Sequence, residues 1–509
     1  MKPPKPPSPA HRHLHARPDA GPPMRRPAPA GGLRVGQRLV VTPTRYDEDG
    51  FAIAQGQRAA MAIWQGIAGE AAEVEVRHVG QHRIRSRFVG AAAPSPDRRE
   101  PPCPRYEACG SCALMHLKPA AQRAVRLAAL TEALSGLGVE LPLLEALREG
   151  PDGEADYRHF VKLAVGRSDM GKIRVGAYRR GSHDLVAIPE CVVATPVLRR
   201  AMISVAHHII DLDLHPYDPE SRSGILRHVM LRQSRADGRV LCTFVAGRNH
   251  RMLKELAARV MGSATGISGV WVHFNDQPGN GILQWGPEGE GPGFTLLEGV
   301  PLIAELVAGE RLLIGPGDFF QINPAVGELL VRDVSAAFAD LRAYPVVDLY
   351  CGVGAFTLPL ARAHGYAFGV EVLPGAVLHA TESAQQGHVG AEFFVGEATA
   401  QLAAVAKRLE GRPPVVVVDP PKKGLEEGVF DQLLALNPAR VAYVSCEPQS
   451  LARDLRRFLA AGWTVRQLTA YDLFPETAHL ETLAVLDPPT RPEAPATSLR
   501  RRVVRKPAG

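Results

Sequence analysis

The stretch "VVDLYCGVGAFTLPLA" (346–361) decides the fold. It opens with a short apolar run, turns at Gly352 and Gly354, and continues in helix-forming residues. A strand, a glycine turn and a helix in that order is the opening unit of a doubly wound α/β sheet. The glycines there let backbone approach a ligand closely. Position 357 is Thr, so the full G-x-G-x-x-G spacing is not met, and a glycine pair alone is weak evidence. Glu371, in "GVEV", ends the next apolar run about 20 residues further on, where a carboxylate can accept both hydroxyls of a ribose. NAD and S-adenosylmethionine both fit these two features.

Outward from this unit, apolar runs recur at 366–372, 391–396, 413–421, 440–446, 464–474 and 481–487. Helical segments separate the first six runs, counting 344–352. Continuous valine-rich runs of this kind fit strands buried on both faces of a mostly parallel sheet. The last two are joined by a short link, which predicts an antiparallel pair at one edge. Residues 309–488 are therefore expected to form a seven-stranded, mixed, Rossmann-like sheet. Its ligands bind at the carboxyl ends of the strands. "VVVVDPPKKG" places Asp419 at one such end, with two prolines stiffening the exit. "YVSCEPQSLARDL" (443–455) places Cys446 at the neighbouring one. A thiol, a carboxylate and a nucleoside-cofactor turn thus converge on one crevice.

The rest of the chain divides by composition. Residues 33–96 carry five short β-rich runs between glycine turns, the pattern of a small oligonucleotide-binding (OB-like) barrel. The basic residues of "VRHVGQHRIRSRF" suit phosphate contacts. Residues 97–308 mix strand patterns ("FVKLAVG", "IRVGAYRR", "LRHVMLRQS", "LCTFVAG", "GVWVHFN") with helical ones, an α+β arrangement. Seven cysteines and no export signal argue against a disulfide framework. Cys103, Cys109 and Cys112 lie in one loop, turned by Gly110, and Cys191 lies far along the chain. Four thiols suit Zn²⁺ or a [4Fe–4S] cluster, and the spacing does not choose between them. Cys242 and Cys351 read as packing residues.

The formal charge of +6 resides in the ends. Residues 1–32 and 489–509 each carry +5, which leaves about −4 for the body. Both tails read as disordered; basic arms of this kind attract nucleic acid or simply stay solvated. The sequence holds no run of about 18 apolar residues and no secretory signal, so no membrane association and a cytoplasmic location are expected.

Five motifs in order, "GDFFQIN", "DLYCGVGAFTLPLA", "VVDPPKKG", "YVSCEPQSLARDL" and "FPETAHLE", make residues 33–488 resemble the S-adenosylmethionine-dependent, iron–sulfur-containing RNA uracil-5-methyltransferases. The layout, with the barrel in the place of an RNA-binding TRAM domain, is most similar to the 23S ribosomal RNA enzymes. The resemblance implies Cys446 as the nucleophile that adds to uracil C6, and Glu481 as the base that removes the C5 proton, with His479 a weaker candidate. It implies cofactor contacts from Gln321, Tyr350, Gly352, Gly354, Ala355, Glu371, Glu397 and Asp419. It implies a [4Fe–4S] cluster on Cys103, Cys109, Cys112 and Cys191 rather than zinc. An RNA partner, ribosomal or else transfer RNA, and a monomer are expected. A non-catalytic RNA-binding protein and a zinc-bearing oxidoreductase are the alternatives; neither gives Cys446 and Glu481 a task. Three positions depart from the family pattern: Ala355 for Asn, Glu397 for Asp, and Glu447 for Asn after the cysteine. The thiol must ionise to react, which predicts a pKa below the free value of about 8.5, and Glu447 is expected to point away from it.

Overall fold

The computed structural model describes residues 32–55, 59–141, 147–168, 170–279, 281–284 and 293–494. The basic tails lie outside these residues, apart from Gly32 and 489–494. Among the described residues, no helix is long and apolar enough to cross a membrane.

The largest sheet runs Ala391–Val395, Ala367–Glu371, Val346–Leu349, Val415–Val418, Arg440–Ser445, Glu481–Asp487, Thr464–Tyr471 and Leu147–Arg148. The first five are parallel, and Glu481–Asp487 is antiparallel to both of its neighbours. Period-two alternation sorts the valines between two cores. Val415 and Val417 join the core on one face, Val416 and Val418 that on the other. All four are fully buried, each contributing roughly 1.5–3 kcal/mol through burial. Helices Thr357–His364, Pro374–Gln386, Ala398–Leu409, Val429–Ala435 and Pro448–Ala460 connect the parallel strands. Val346–Leu349 has Ala367–Glu371 on one side and Val415–Val418 on the other. Crossovers therefore leave this point in opposite directions and open a crevice beyond Leu349 and Val418.

The sheet has eight strands where seven were expected. The eighth, Leu147–Arg148, pairs in parallel with Thr464–Tyr471. Two residues carry no periodicity, so no pattern could reveal them. The segment 97–308 is accordingly not self-contained. Its helix Pro119–Leu134 packs against Pro448–Ala460, and Leu130, Leu134 and Leu147 sit in the core of the large sheet.

Where a five-stranded barrel was expected, the N-terminal segment forms a six-stranded sheet of Arg38–Val41, Arg45–Tyr46, Ala52–Ala54, Ala60–Trp64, Ala72–Val79 and Arg83–Ala91, with the first two at its edges. The added pair, Arg45–Tyr46, is again too short to carry a pattern. Between this N-terminal sheet and the large one in sequence comes a seven-stranded sheet built on Phe160–Arg167, Ile173–Tyr178, Leu226–Gln233, Val240–Ala246 and Ile267–Phe274. Leu185–Val186 and Phe294–Gly299 close its edges, and helices Pro196–Asp211 and Met252–Met261 pack on it.

Candidate active site

The glycine turn builds one wall of the crevice. Tyr350, Gly352 and Gly354 all take positive φ (65°, 54° and 87°). A side chain at Gly352 would be strained, and the space beside it is open, with Phe319 O the nearest atom at 3.9 Å. Glu371 locks the turn. Its Oε2 accepts from Gly352 N (3.1 Å) and its Oε1 from Leu373 N (2.9 Å). Burial pushes this carboxyl above its usual range. Asp348, which sequence reasoning passed over, is fully buried beneath the turn and accepts from Thr357 Oγ1 (2.5 Å). Burial raises it to about 7, and the charges of Asp419 and Glu371 add to the effect.

Cys446 and Glu481 meet at the next strand ends. Ser445 pairs with Thr482 across antiparallel strands, so the residues just beyond this pair, Cys446 and Glu481, stand side by side. Glu481 is buried, and its Oε1 has no hydrogen-bond partner. Burial, then the facing charge of Asp419, holds its carboxyl well above the ordinary carboxylate range. Burial raises Asp419 as well. The expectation of a depressed thiol is not met. Burial first, then Glu481 and Asp419, push Cys446 up to about 12, while Lys422 and a backbone hydrogen bond act in the opposite sense. Two carboxylates next to a half-buried sulfur disfavour its anion. The backbone N and O of Glu447 bond the Ser445 hydroxyl, where it precedes the helix starting at Pro448.

The remaining candidates scatter around this centre. Gln321 is half-buried in the loop 315–323, close under Gly327. Arg232 Nη2 holds this loop through Asp318 O (2.9 Å), and Asp318 accepts from His379 Nδ1 (2.7 Å). Ala355 packs onto the core. Glu397 is exposed at the start of helix Ala398–Leu409 and faces Glu426, whose carboxyl is raised by burial and then by Glu397. Burial first, then Lys422, lowers the His479 imidazole. Cys242 and Cys351 are buried packing residues. Lys422, exposed beyond the stiff "DPP" exit, was missed; a lysine after two prolines carries no sequence signal of its own.

The four clustered cysteines share a neighbourhood. Cys103, Cys112 and Cys191 border one small core with Tyr157. Burial first, then Cys191 and Cys109, raises Cys103; burial, with Cys191 and Cys109 again contributing, raises Cys112. All are free thiols. Among the described residues, no three His, Cys, Asp or Glu side chains are gathered as a metal-ion site.

A cleft of about 1600 Å³ separates the barrel from the central sheet. Eight Lys and Arg side chains line it, among them Arg77, Arg85, Lys162 and Arg179, against two acids, Asp49 and Glu107. Thr477, Ala478 and His479 line it as well.

A thiol and a buried acid at the carboxyl edge of a doubly wound sheet, beside a glycine turn, define a Rossmann-like enzyme site of the nucleoside-binding kind. Residues 315–488 match the family described as tRNA (uracil-5-)-methyltransferase. The chain is 32% identical over 465 residues to a protein of Parasynechococcus marenigrum, covering 90% of this chain and 97% of that one. It is 32% identical over 468 residues to one of Gloeobacter violaceus, covering 91% and 99%. Both are described as uncharacterized RNA methyltransferases. The crystal structure of the Pyrococcus abyssi tRNA (uracil-54, C5)-methyltransferase with S-adenosyl-L-homocysteine superposes with a TM-score of 0.68, at 24% identity, over 88% of this chain and 99% of that one. The chain belongs to the RNA uracil-5-methyltransferase family.

Proposed function

We propose that the protein moves a methyl group from S-adenosylmethionine to C5 of a uridine in RNA, through a covalent bond between Cys446 Sγ and uracil C6. The observation that carries this reading is the side-by-side placement of Cys446 and Glu481 against Asp419. Uracil C5 is a poor nucleophile. Cys446 adds to C6 as the thiolate, its proton leaving to solvent, and the resulting enolate makes C5 nucleophilic. The sulfonium of the donor supplies the methyl group and a positive charge near the site. After transfer C5 carries both the methyl group and its proton. Glu481 takes that proton, the C5–C6 double bond re-forms, and Cys446 departs as the thiolate. Two facing carboxylates do not both ionise easily, so Asp419 and Glu481 share a proton and keep one of the pair available as base.

The glycine turn, Glu371 and Tyr350 are read as the donor's ribose and adenine wall, with Gln321 and Glu397 at its rim. The basic cleft is read as the RNA path, from the barrel to the crevice. The target uridine must leave its stack to reach Cys446. Ribosomal RNA, 23S in particular, is the first substrate to test, and transfer RNA the second. One chain supplies both reacting groups, so we take the monomer as the acting unit.

For Cys103, Cys109, Cys112 and Cys191 we propose a [4Fe–4S] cluster acting as a structural staple. Charge supports the fit. Arg158 Nε and Arg180 Nε are buried without acceptors, and both guanidiniums feel the Cys112 thiol. An anionic thiolate cluster balances them.

Mapping 5-methyluridine in RNA from cells with and without the protein tests the function. RNA carrying 5-fluorouridine should form an adduct that survives denaturation with the native protein and not with Cys446→Ala. Normal methylation by Cys446→Ala would remove the nucleophile from the mechanism.

A further inference from the structure

Glu481 is the first residue after the connection 472–480, and its strand pairs with the one before it through Tyr471 and Glu481. Nine residues in a hairpin connection are normally exposed and mobile. This connection is mostly buried, and beyond a few hydrogen bonds around Thr477 it is held from outside. Asp472, Leu473, Glu476, Thr477 and Leu480 are buried. Its partners come from the cysteine-bearing N-terminal segment. Arg126 grips Asp472 with both guanidinium nitrogens (2.6 and 2.8 Å), and Tyr157 donates its hydroxyl to Pro475 O (2.9 Å).

The knot of this lashing is Glu476. It is buried to 1% exposure and holds a left-handed backbone (φ 70°), which is costly for a residue with a side chain. Its carboxylate accepts from Arg99 and from Gln122 Nε2 (2.9 Å). Its backbone N donates to Gln122 Oε1 (3.1 Å), and its O accepts from Leu114 N (2.9 Å). Every polar group of the residue is thus held by residues 99–122. A buried carboxylate in a strained conformation persists only where the surroundings over-determine it.

We propose that Glu476 is a positioning residue for proton removal: it fixes the connection that aims Glu481 at the carbon bonded to Cys446. Five residues from the base, it touches no reacting atom. Loosening it lets the Glu481 carboxylate drift while Cys446, on a different strand, stays in place. The two halves of the reaction therefore separate. Addition and methyl transfer proceed; elimination slows.

The inference rests on Glu481 being the base, and the test keeps the two apart. Labelled donor and RNA tritiated at uracil C5 are mixed with excess enzyme. Methyl transfer to RNA, tritium release and denaturation-stable protein–RNA complex are then followed in one turnover. Glu481→Gln is the reference and should accumulate methylated complex without releasing tritium. Glu476→Gln should transfer methyl within about threefold of the native rate while tritium release falls roughly tenfold or more. Arg99→Met, which leaves the Gln122 contacts in place, should show the same split and serves if Glu476→Gln does not fold. Parallel loss of both steps, or no loss of either, overturns the positioning role. If Glu481→Gln itself releases tritium normally, the base assignment falls instead.

Discussion

Cys446, the nucleophile of the proposed mechanism, is kept in its unreactive form by its neighbours. Its thiol is raised, so thiolate appears only as pH climbs; alkylation of the free protein at Cys446 should accelerate from pH 7 to 10 without levelling off. Mass spectrometry of the Cys446 peptide checks this. Lys422→Met removes the only cation acting on the sulfur, so alkylation at pH 8 should slow by roughly two- to tenfold. Glu481 leads to the opposite limb. Its carboxyl is raised, so it is protonated on the acid side over a wider range than an ordinary glutamate, and a protonated acid removes no proton. Turnover should therefore already decline as pH falls below neutral, and a flat profile down to pH 5 would count against Glu481. Motif order singled out this pair, and the strand register sets its two residues side by side. The pair's electrostatics were not legible in the sequence, since Asp419, Glu481 and Lys422 meet only when three strand ends are stacked side by side. At the unexpected Glu447, the backbone N and O exchange hydrogen bonds with the Ser445 hydroxyl.

At the scale of elements, the parallel strands were legible because continuous apolar runs, with VVVV (415–418) the plainest, have few other uses. The five connecting helices were legible because they separate those runs at regular intervals. The two-residue strands Arg45–Tyr46 and Leu147–Arg148 were not, because they exist through pairing alone. The ties between elements were equally silent. Arg126 and Asp472 are 346 positions apart, and neither belongs to a motif. Their buried, bidentate contact fastens helix Pro119–Leu134 to the exit of strand Thr464–Tyr471. Asp472→Asn leaves Arg126 buried beside a neutral partner and should destabilise the protein by about 3 kcal/mol. Urea unfolding of the variant against native protein measures it; a loss under about 1 kcal/mol would mean the guanidinium finds another acceptor.

Across the whole molecule, charge is partitioned. The body between the tails is acidic on balance, yet the cleft between barrel and central sheet is basic. Arg85→Ala together with Arg179→Ala should weaken RNA binding at every sequence tested. It should also flatten the dependence of log Kd on log salt, by about 0.7 for each phosphate no longer neutralised. An unchanged slope would place the RNA elsewhere. Architecture is shared in the same way. A fragment of residues 309–488 keeps both reacting groups but loses the eighth strand, Arg126, Gln122 and Arg99. It should fail to give a cooperative thermal transition, whereas the same fragment co-expressed with residues 32–308 should recover one.

Leu147–Arg148 also sets a schedule for synthesis. A ribosome adds about 5–20 residues per second. The 346 positions between Arg126 and Asp472 therefore take roughly 20–70 s to make. Through that interval Leu130, Leu134 and Leu147 have emerged without the strands that will cover them. The barrel can close on its own contacts as it leaves the exit tunnel, but the segment behind it has to wait. A nascent chain of this protein is thus a long-lived client for holding chaperones. It completes its N-terminal half only when nearly its last strand arrives.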